Sequence, residues 1–546
     1  MEVNQNSLTE KRRILILGGG YAGVYTALEL EKELRRSDDF SVTLISKENF
    51  FVFEPMLPEV ASGSLDPRHI VNPIRHLLRR TRFCTADVQS IDLENRRVTV
   101  AHGLPRHNHY FDFDYLVLGL GSVTDTSLAS GVGQYAFTLK TLADAIIIRN
   151  HVLGQLDDAD LEDDPAARHA LLTFVVAGGG LTGVEAVGEI TSLLRDAVKF
   201  HTRIRASELR ILLVEAGPRL LPEMPERLGE YAMRKLQRDA VEVFLNRSLI
   251  AAAEDHIELD SGTKIPTQTL IWTAGITTNP IVTTLPCKKD HKGRLIVNEF
   301  LEVPEFKSLW ALGDNASLIN PKTGKPYPPM AQFAIRQAKT TARNIVATLR
   351  GRPRKPFAFT GLGQLATVGR RSAVAQILGI QISGFAAWWL WRTIYLMKLP
   401  GLSRKLRVMV DWTRDLIFPR DIVQYRFSRA QPVTRAHFEP KEIISWPGDP
   451  ADRFYIIEHG EVEVIEYDSG GGEKLLARLG PGEYFGEMAI LDEQHKRSAI
   501  VRSSTPVDVI AIPREHFEVM VNKTADLKQT FQRVLEQRRQ PAIRQN

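Results

Sequence analysis

The chain has 546 residues, of which 43% are apolar and 25% charged, with a formal net charge of +5. That length exceeds one hydrophobic core and predicts three or four domains, while the composition excludes a largely disordered chain. The opening residues carry no apolar run, so no secretory signal is expected. Cys84 and Cys287 are the only cysteines and form no C-x-x-C pair. A reducing compartment follows, with no disulfide framework, no dithiol relay and no metal site expected.

The chain opens on an apolar run, Ile14–Leu17, that breaks at Gly18-Gly19-Gly20-Tyr21-Ala22-Gly23. A helical pattern follows, with Val24, Leu28 and Leu30 as its expected buried positions. Strand, G-x-G-x-x-G, then helix is the dinucleotide-binding arrangement. One glycine permits the tight turn, and another lets the backbone approach a pyrophosphate at the helix N-terminus. Next, SVTLIS predicts a second strand, whose end is where such folds place an acid against the ribose. Here that position is Ser46, a weaker acceptor than a carboxylate. Asp114–Ser122 then reads as a buried strand entering a glycine turn.

The arrangement recurs. Leu171–Ala177 is a second apolar strand, broken by Gly178-Gly179-Gly180-Leu181-Thr182-Gly183 and followed by a helical pattern. Two such sites in one chain imply that one nucleotide is reduced by the other. The strand RILLVE ends in Glu215, and an acid there favours the 2′-hydroxyl of NADH over the 2′-phosphate of NADPH, although Arg219 is near in sequence. Glu185, just after the glycine turn, reads either as a solvated helix residue or as a functional acid. LIWTAGI and SLWALGDNA are further strand–turn units, the second ending in Gly313-Asp314. A helix is predicted after Pro328-Pro329, with a positive dipole at its start.

On these motifs residues 12–420 resemble the type II NADH dehydrogenases, the single-chain, non-proton-pumping NADH:quinone oxidoreductases. The fold class implied is α/β, with two Rossmann-like dinucleotide-binding domains. The resemblance assigns Gly18, Gly20, Gly23 and Asp314 to FAD, and Gly178, Gly180, Gly183 and Glu215 to NADH. The family's A-Q-x-A-x-Q quinone motif falls on Ala331-Gln332-Phe333-Ala334-Ile335-Arg336, where Arg336 replaces the second glutamine and Gln337 follows. A non-quinone acceptor therefore stays open beside the quinone. The resemblance makes Glu185 and Gln332 the catalytic candidates. It also implies a peripheral enzyme on the cytoplasmic face of the cell membrane, with a homodimer as a further possibility. The domains read as FAD-binding over 1–125 and 291–350, NADH-binding over 126–290, and membrane-docking over 351–420.

Thirteen Lys and Arg lie between Arg350 and Arg420 against two Asp, a local charge of +11 that leaves −6 for the rest. Four of the seven tryptophans, Trp388, Trp389, Trp391 and Trp412, lie in this window. Gly384–Leu399 is interrupted by Arg392 and Lys398 and stopped by Pro400-Gly401, which is short of the roughly 20 apolar residues of a bilayer span. Leu402, Leu406, Met409, Val410, Leu416 and Ile417 share one helical face, opposite Arg404, Arg407, Asp411 and Arg414. An interfacial anchor over residues 385–417 is expected, against the alternative of an ordinary buried helix pair or a dimer interface.

From about Val433 the pattern changes to short alternating strands with glycine turns at Gly460, Gly470–Gly472, Gly480 and Gly482. Residues 421–546 resemble the β-roll of cyclic-nucleotide-binding domains. Their phosphate cassette maps onto Gly486-Glu487 and Arg497-Ser498-Ala499. By resemblance Glu487 accepts from the ribose and Arg497 pairs with the cyclic phosphate of cAMP or cGMP, Ser498 permitting either. No helix-turn-helix follows before Asn546, so no nucleic-acid partner is expected. A rival reading from another class is a cyclic-nucleotide sensor on a degenerate flavoprotein scaffold.

Overall fold

The computed structural model describes residues 11–34, 40–102, 107–424, 434–449, 451–467, 473–491, 497–514, 516–517 and 521. Two compact units result, one made of most of the chain up to residue 426 and the other mainly of the residues from 427 on.

In the larger unit, Arg12–Leu17 is the central strand of a five-stranded parallel sheet. Its neighbours are Phe40–Ser46 and Tyr115–Leu118, with Arg82–Thr85 and Leu309–Ala311 at the edges. The second sheet repeats this plan, with Thr173–Ala177 at the centre between Arg210–Glu215 and Thr269–Trp272, and with Val241–Leu245 and Ala136–Thr138 outside. Parallel strands are covered on both faces, so their sequences are continuous apolar runs rather than alternations. Ile14–Leu17, Tyr115–Leu118, Thr173–Ala177 and Thr269–Trp272 are accordingly buried at every position.

Each central strand feeds a helix through its glycine turn: α1 (Tyr21–Glu33) in the first sheet, and α3 (Leu181–Ala197) in the second, after α2 (Leu142–Leu161). The buried face of α1 runs through Val24, Ala27 and Leu30, whereas the expected Leu28 is only half-buried. Packed on α1 is α4 (Ala331–Leu349), the helix predicted after the proline pair, and Arg343 of α4 pairs with Glu29 at 2.7 Å.

After α4 come an antiparallel three-stranded sheet, Gly363–Thr367, Ala373–Ile377 and Ile380–Gly384, and the helices α5 (Phe385–Lys398) and α6 (Leu402–Ile417). Gly401, at φ +84°, separates the helices. Here the structure corrects the sequence reading. Trp388, Trp391 and Trp412 are buried, and only Trp389, 60% exposed, faces outward. Trp388 packs on Ala373, Ala375 and Ala387 of the small sheet and of α5 itself. Asp411, expected on a solvated face, is 8% exposed and is held by His69 Nδ1 at 2.5 Å and by the Asp66 amide at 3.2 Å. The basic window is also less free than its count suggests, because Arg354, Arg370, Arg392 and Arg420 pair with Glu302, Asp196, Glu59 and Glu189. The expected apolar face of α6 does form and points outward, with Leu402, Leu406, Met409, Val410, Leu416 and Ile417 all exposed. Among the described residues no helix is long and apolar enough to cross a membrane.

The smaller unit is a pair of antiparallel four-stranded sheets. Ile457, Val462, Leu479, Phe485, Val501, Val507 and Val509 fill its main core. Gly460 and Gly482 take positive φ at their turns, while the expected turn at Gly470–Gly472 lies outside the described residues.

Candidate functional site

The first glycine loop is built by close approach. Gly18 sits at φ +108°, and a Cβ on it would lie 2.1 Å from the Gly119 carbonyl oxygen. A Cβ on Gly23 would lie 1.9 Å from the Gly18 oxygen, so α1 can meet its strand only through glycine. Gly20 differs, with nothing within 4 Å of its missing Cβ. No side chain caps α1 at Gly20, which leaves its first amides and dipole facing that open space. Strand, turn and helix therefore offer a cradle of the kind a dinucleotide diphosphate fills. Ser46 is buried against this loop, its Oγ 2.3 Å from where a Gly19 Cβ would be.

Asp314 is fixed in the turn after the edge strand Leu309–Ala311, where Gly313 lies against Ala22 at the start of α1. Its carboxylate accepts from Ser122 Oγ at 2.6 Å, Asn315 exchanges two hydrogen bonds with Gly121, and the Gly313 amide donates to Gln337 Oε1 at 2.7 Å. Gln337, the residue after the departed motif position, is thus buried structural support for the Gly-Asp turn.

The second loop has the same shape, with Gly178 at φ +109° and a Gly183 Cβ placed 1.8 Å from the Gly178 oxygen. Gly180 again opens on space, its nearest neighbour being Glu223 Oε1 at 3.7 Å. Glu215 accepts from the amides of Gly179 and Gly217 at 2.5 and 2.6 Å, which puts its carboxylate at the mouth of the loop. Arg219 donates instead to the carbonyls of Met224 and Pro222, so its fork is committed within its own turn.

Glu185 is buried early in α3 and accepts from the Thr367 amide at 3.0 Å. Burial, with help from the charge of Glu59, pushes its carboxyl up to about 8. Gln332 holds the other end of the same strand, donating to the Gly363 oxygen and accepting from the Leu362 amide, each at 3.0 Å. Four residues of strand, about 13 Å, therefore tie Glu185 to Gln332. Ala331 begins α4, and Arg336 lies one turn on, its guanidinium 3.9 Å over the Phe359 ring.

Behind Glu185 lies a buried charge network that sequence spacing could not reveal. Glu59 accepts from Trp412 Nε1 at 3.2 Å and lies 3.8 Å from Arg392, which is stacked on Trp388 at 3.9 Å and Trp412 at 4.7 Å. Glu189, one turn after Glu185, accepts from Ser62 Oγ at 2.7 Å and from Arg420 at 3.1 Å. Arg420 also pairs with Asp415 at 3.1 Å. Three carboxyls thus share two guanidiniums, with Asp415 between them. Burial raises Glu59 to about 8 against the opposing pull of Arg392, so this region retains protons that exposed acids would release.

In the smaller unit Gly486 sits at φ +94°, and a Cβ there would meet Arg497 Nη1 at 2.5 Å. Arg497 is buried, donates to the carbonyls of Gly486 and Arg453 at 3.1 and 2.6 Å, and has Asp452 at 3.8 Å. Burial lowers its pKa against the raising pull of Tyr455, Asp452, Asp449 and Glu487. Glu487, 1% exposed, starts the short helix Glu487–Leu491, while Ser498 is exposed and Ala499 half-buried. A phosphate fits this donor set.

The chain matches the pyridine nucleotide-disulphide oxidoreductase family over residues 12–338, the NDH2 C-terminal domain over 362–421, and the cyclic nucleotide-binding domain over 435–524. It is 33% identical to a probable NADH dehydrogenase of Dictyostelium discoideum, across 77% of this chain and 93% of that one. A type II NADH:quinone oxidoreductase of Mycobacterium tuberculosis is 31% identical, across 75% and 89%. The solved structure of NDH2 from Plasmodium falciparum superposes with a TM-score of 0.70 at 21% identity, over 76% of this chain and all of that one, a likeness of fold. Both cysteines are free, so the disulphide in the family's title has no counterpart here. By its matched length and its relatives, the chain belongs to the pyridine nucleotide-disulphide oxidoreductases, among the type II NADH dehydrogenases, and carries a cyclic nucleotide-binding domain at its C-terminal end.

Proposed function

We propose that the chain oxidises NADH and passes the electrons to a membrane quinone without pumping protons. The observation that carries this reading is the doubled glycine cradle together with the buried Glu185, whose carboxyl is pushed up by burial. FAD is the flavin of this family, and when bound it accepts hydride and passes on two electrons. Gly18, Gly20 and Gly23 with the start of α1 would hold its diphosphate, with Ser46 beside the loop and Asp314 presented to its hydroxyls. Gly178, Gly180 and Gly183 would seat NADH, and Glu215 would accept from the ribose and repel the 2′-phosphate of NADPH. The uncapped start of α4 would supply a positive dipole to a flavin bound there.

Ala331, Gln332 and Arg336 form the quinone-facing edge. Both ends of the Gln332 amide are taken by the Leu362–Gly363 backbone, so Gln332 holds that edge in place rather than moving protons. Glu185 Oε1 is occupied by the Thr367 amide, which leaves Oε2 to carry the proton given to the quinone oxygen. Steady-state NADH oxidation with a panel of quinones tests this reading. Turnover with an artificial dye but with no quinone would overturn the choice of acceptor.

The outward apolar face of α5 and α6, with Phe385, Trp389 and Met397 beside the α6 residues, supports docking on the cytoplasmic face of the membrane through residues 385–417. The same exposed face would serve a homodimer in the absence of lipid. The built Arg497–Gly486–Glu487 corner supports binding of cAMP or cGMP, with Ser498 and Ala499 completing the phosphate contact. Calorimetry should show binding of one of them that Arg497→Ala abolishes. No binding by the wild type at millimolar nucleotide would make this unit a purely structural β-roll.

A further inference from the structure

Arg336 is the one position where this chain departs from the quinone motif, and its surroundings give the departure a consequence. Its guanidinium lies over Phe359 at 3.9 Å from the ring centre, Phe359 is itself edge-on to Phe333 at 5.2 Å, and Nη1 donates to the Gln332 carbonyl at 3.0 Å. The side chain is therefore aimed by an aromatic shelf and by its own helix. Several half-buried or buried arginines of this unit meet carboxylates, as Arg354 meets Glu302, Arg392 meets Glu59, and Arg420 meets Glu189 and Asp415, whereas Arg219 is bonded to carbonyls. Among the described residues Arg336 has no acidic partner, and neither does Lys398 at the end of α5. Burial lowers the pKa of Arg336, and desolvation together with the charge of Arg336 lowers that of the exposed Lys398. A half-buried guanidinium without a counter-ion is unfavourable until an anion joins it.

We propose that Arg336 makes the acceptor site prefer quinones whose ring carries an ionised hydroxyl over neutral quinones of the same size. The proposal rests on the quinone reading of this edge. A planar guanidinium anchored over Phe359 and bonded to its own helix can offer its fork to an oxyanion and its neighbouring carbonyl, a bidentate contact that glutamine cannot match in charge.

The test compares lawsone, which is anionic at neutral pH, with the neutral menadione, as equilibrium ligands of the full-length flavin-loaded protein in calorimetry. Wild type should bind lawsone at least about tenfold more tightly than menadione. Arg336→Gln, which restores the motif, should erase most of that ratio, whereas Arg336→Lys should keep part of it. In wild type alone, lowering the pH until the lawsone hydroxyl is protonated should remove the preference, so the test does not depend on either variant folding. Equal affinity of wild type for the two ligands, or an undiminished ratio in Arg336→Gln, overturns the proposal. Failure of the quinone reading looks different: menadione then neither binds nor reoxidises NADH-reduced protein.

Discussion

The two glycine loops share one backbone design, and among the side chains that differ between them two positions stand out. Each places a glycine near φ +109° and another less than 2 Å, by a hypothetical Cβ, from the first one's carbonyl. The next strand then ends in Ser46 in one sheet and in Glu215 in the other. Two residues beyond the last glycine, the first helix carries Tyr25 and the second carries Glu185. Tyr25 joins an aromatic cluster with Tyr21 and Phe51, whereas Glu185 is a buried acid bonded to Thr367. Backbone geometry thus makes two equivalent cradles, and single side chains decide which one discriminates its nucleotide and which one stands beside a proton.

The largest effects should come from the shared geometry. Gly23→Ala forces a Cβ into the Gly18 carbonyl, and the protein should purify colourless and destabilised by about 1–3 kcal/mol. Gly183→Ala makes the same clash in the other loop. It should leave the flavin bound but lower kcat/KM for NADH at least about 100-fold, a loss of roughly 2.7 kcal/mol of transition-state binding. Flavin loss in both variants would break the assignment of one loop to each nucleotide.

The second pair is Glu185 against Tyr25. Glu185→Gln should cut quinone turnover by about 100-fold, within the usual range for a lost general acid, while Tyr25→Phe should change it little. Burial keeps the Glu185 carboxyl protonated up to about 8, compared with its ordinary 4.5. Wild-type turnover should therefore decline as pH rises through about 8. Between these two values the folded chain holds a proton that the unfolded chain has released. Stability from this group accordingly falls with rising pH, by about 1.4 kcal/mol per unit, and levels off above about 8. Thermal melts of Glu185→Gln should lose this group's share of the slope, while the share of Glu59 remains.

A smaller difference separates Glu215 from Ser46. Glu215→Ala should lower the NADH-to-NADPH ratio of kcat/KM about tenfold by removing a charge-assisted acceptor and a repulsive one. Ser46→Ala should weaken flavin retention only a few-fold. The smallest effect on either loop should come from α5. Trp389→Ser should reduce co-sedimentation with anionic liposomes while the flavin stays bound, whereas Trp388→Ser removes a core ring and should cost about 3–5 kcal/mol of stability.

What could be read from the sequence follows from how local each determinant is. The central strands announce themselves because double-sided burial requires unbroken apolar runs, and the glycine turns because no other residue fits them. Glu215 was readable from its place at a strand end. The facing of the tryptophans of α5 and α6 was not, since composition cannot say which side of a helix faces lipid. Three of the four turn inward, and Trp388 and Trp412 there stack on Arg392. The network of Glu59, Glu189, Arg392 and Arg420 joins acids to arginines more than 200 positions away, with no spacing to betray it. The role of Gln337 was likewise hidden, because it depends on where the Gly313 amide arrives in space.

The most direct test of the account is an anaerobic titration of the purified protein with NADH, followed by addition of a quinone. The flavin absorbance should bleach with about one equivalent of NADH, as two-electron chemistry requires, and return fully on adding the quinone. Absorbance that NADH does not bleach, or that bleaches and is not restored by any quinone, would contradict the assignment of this chain as an NADH:quinone oxidoreductase.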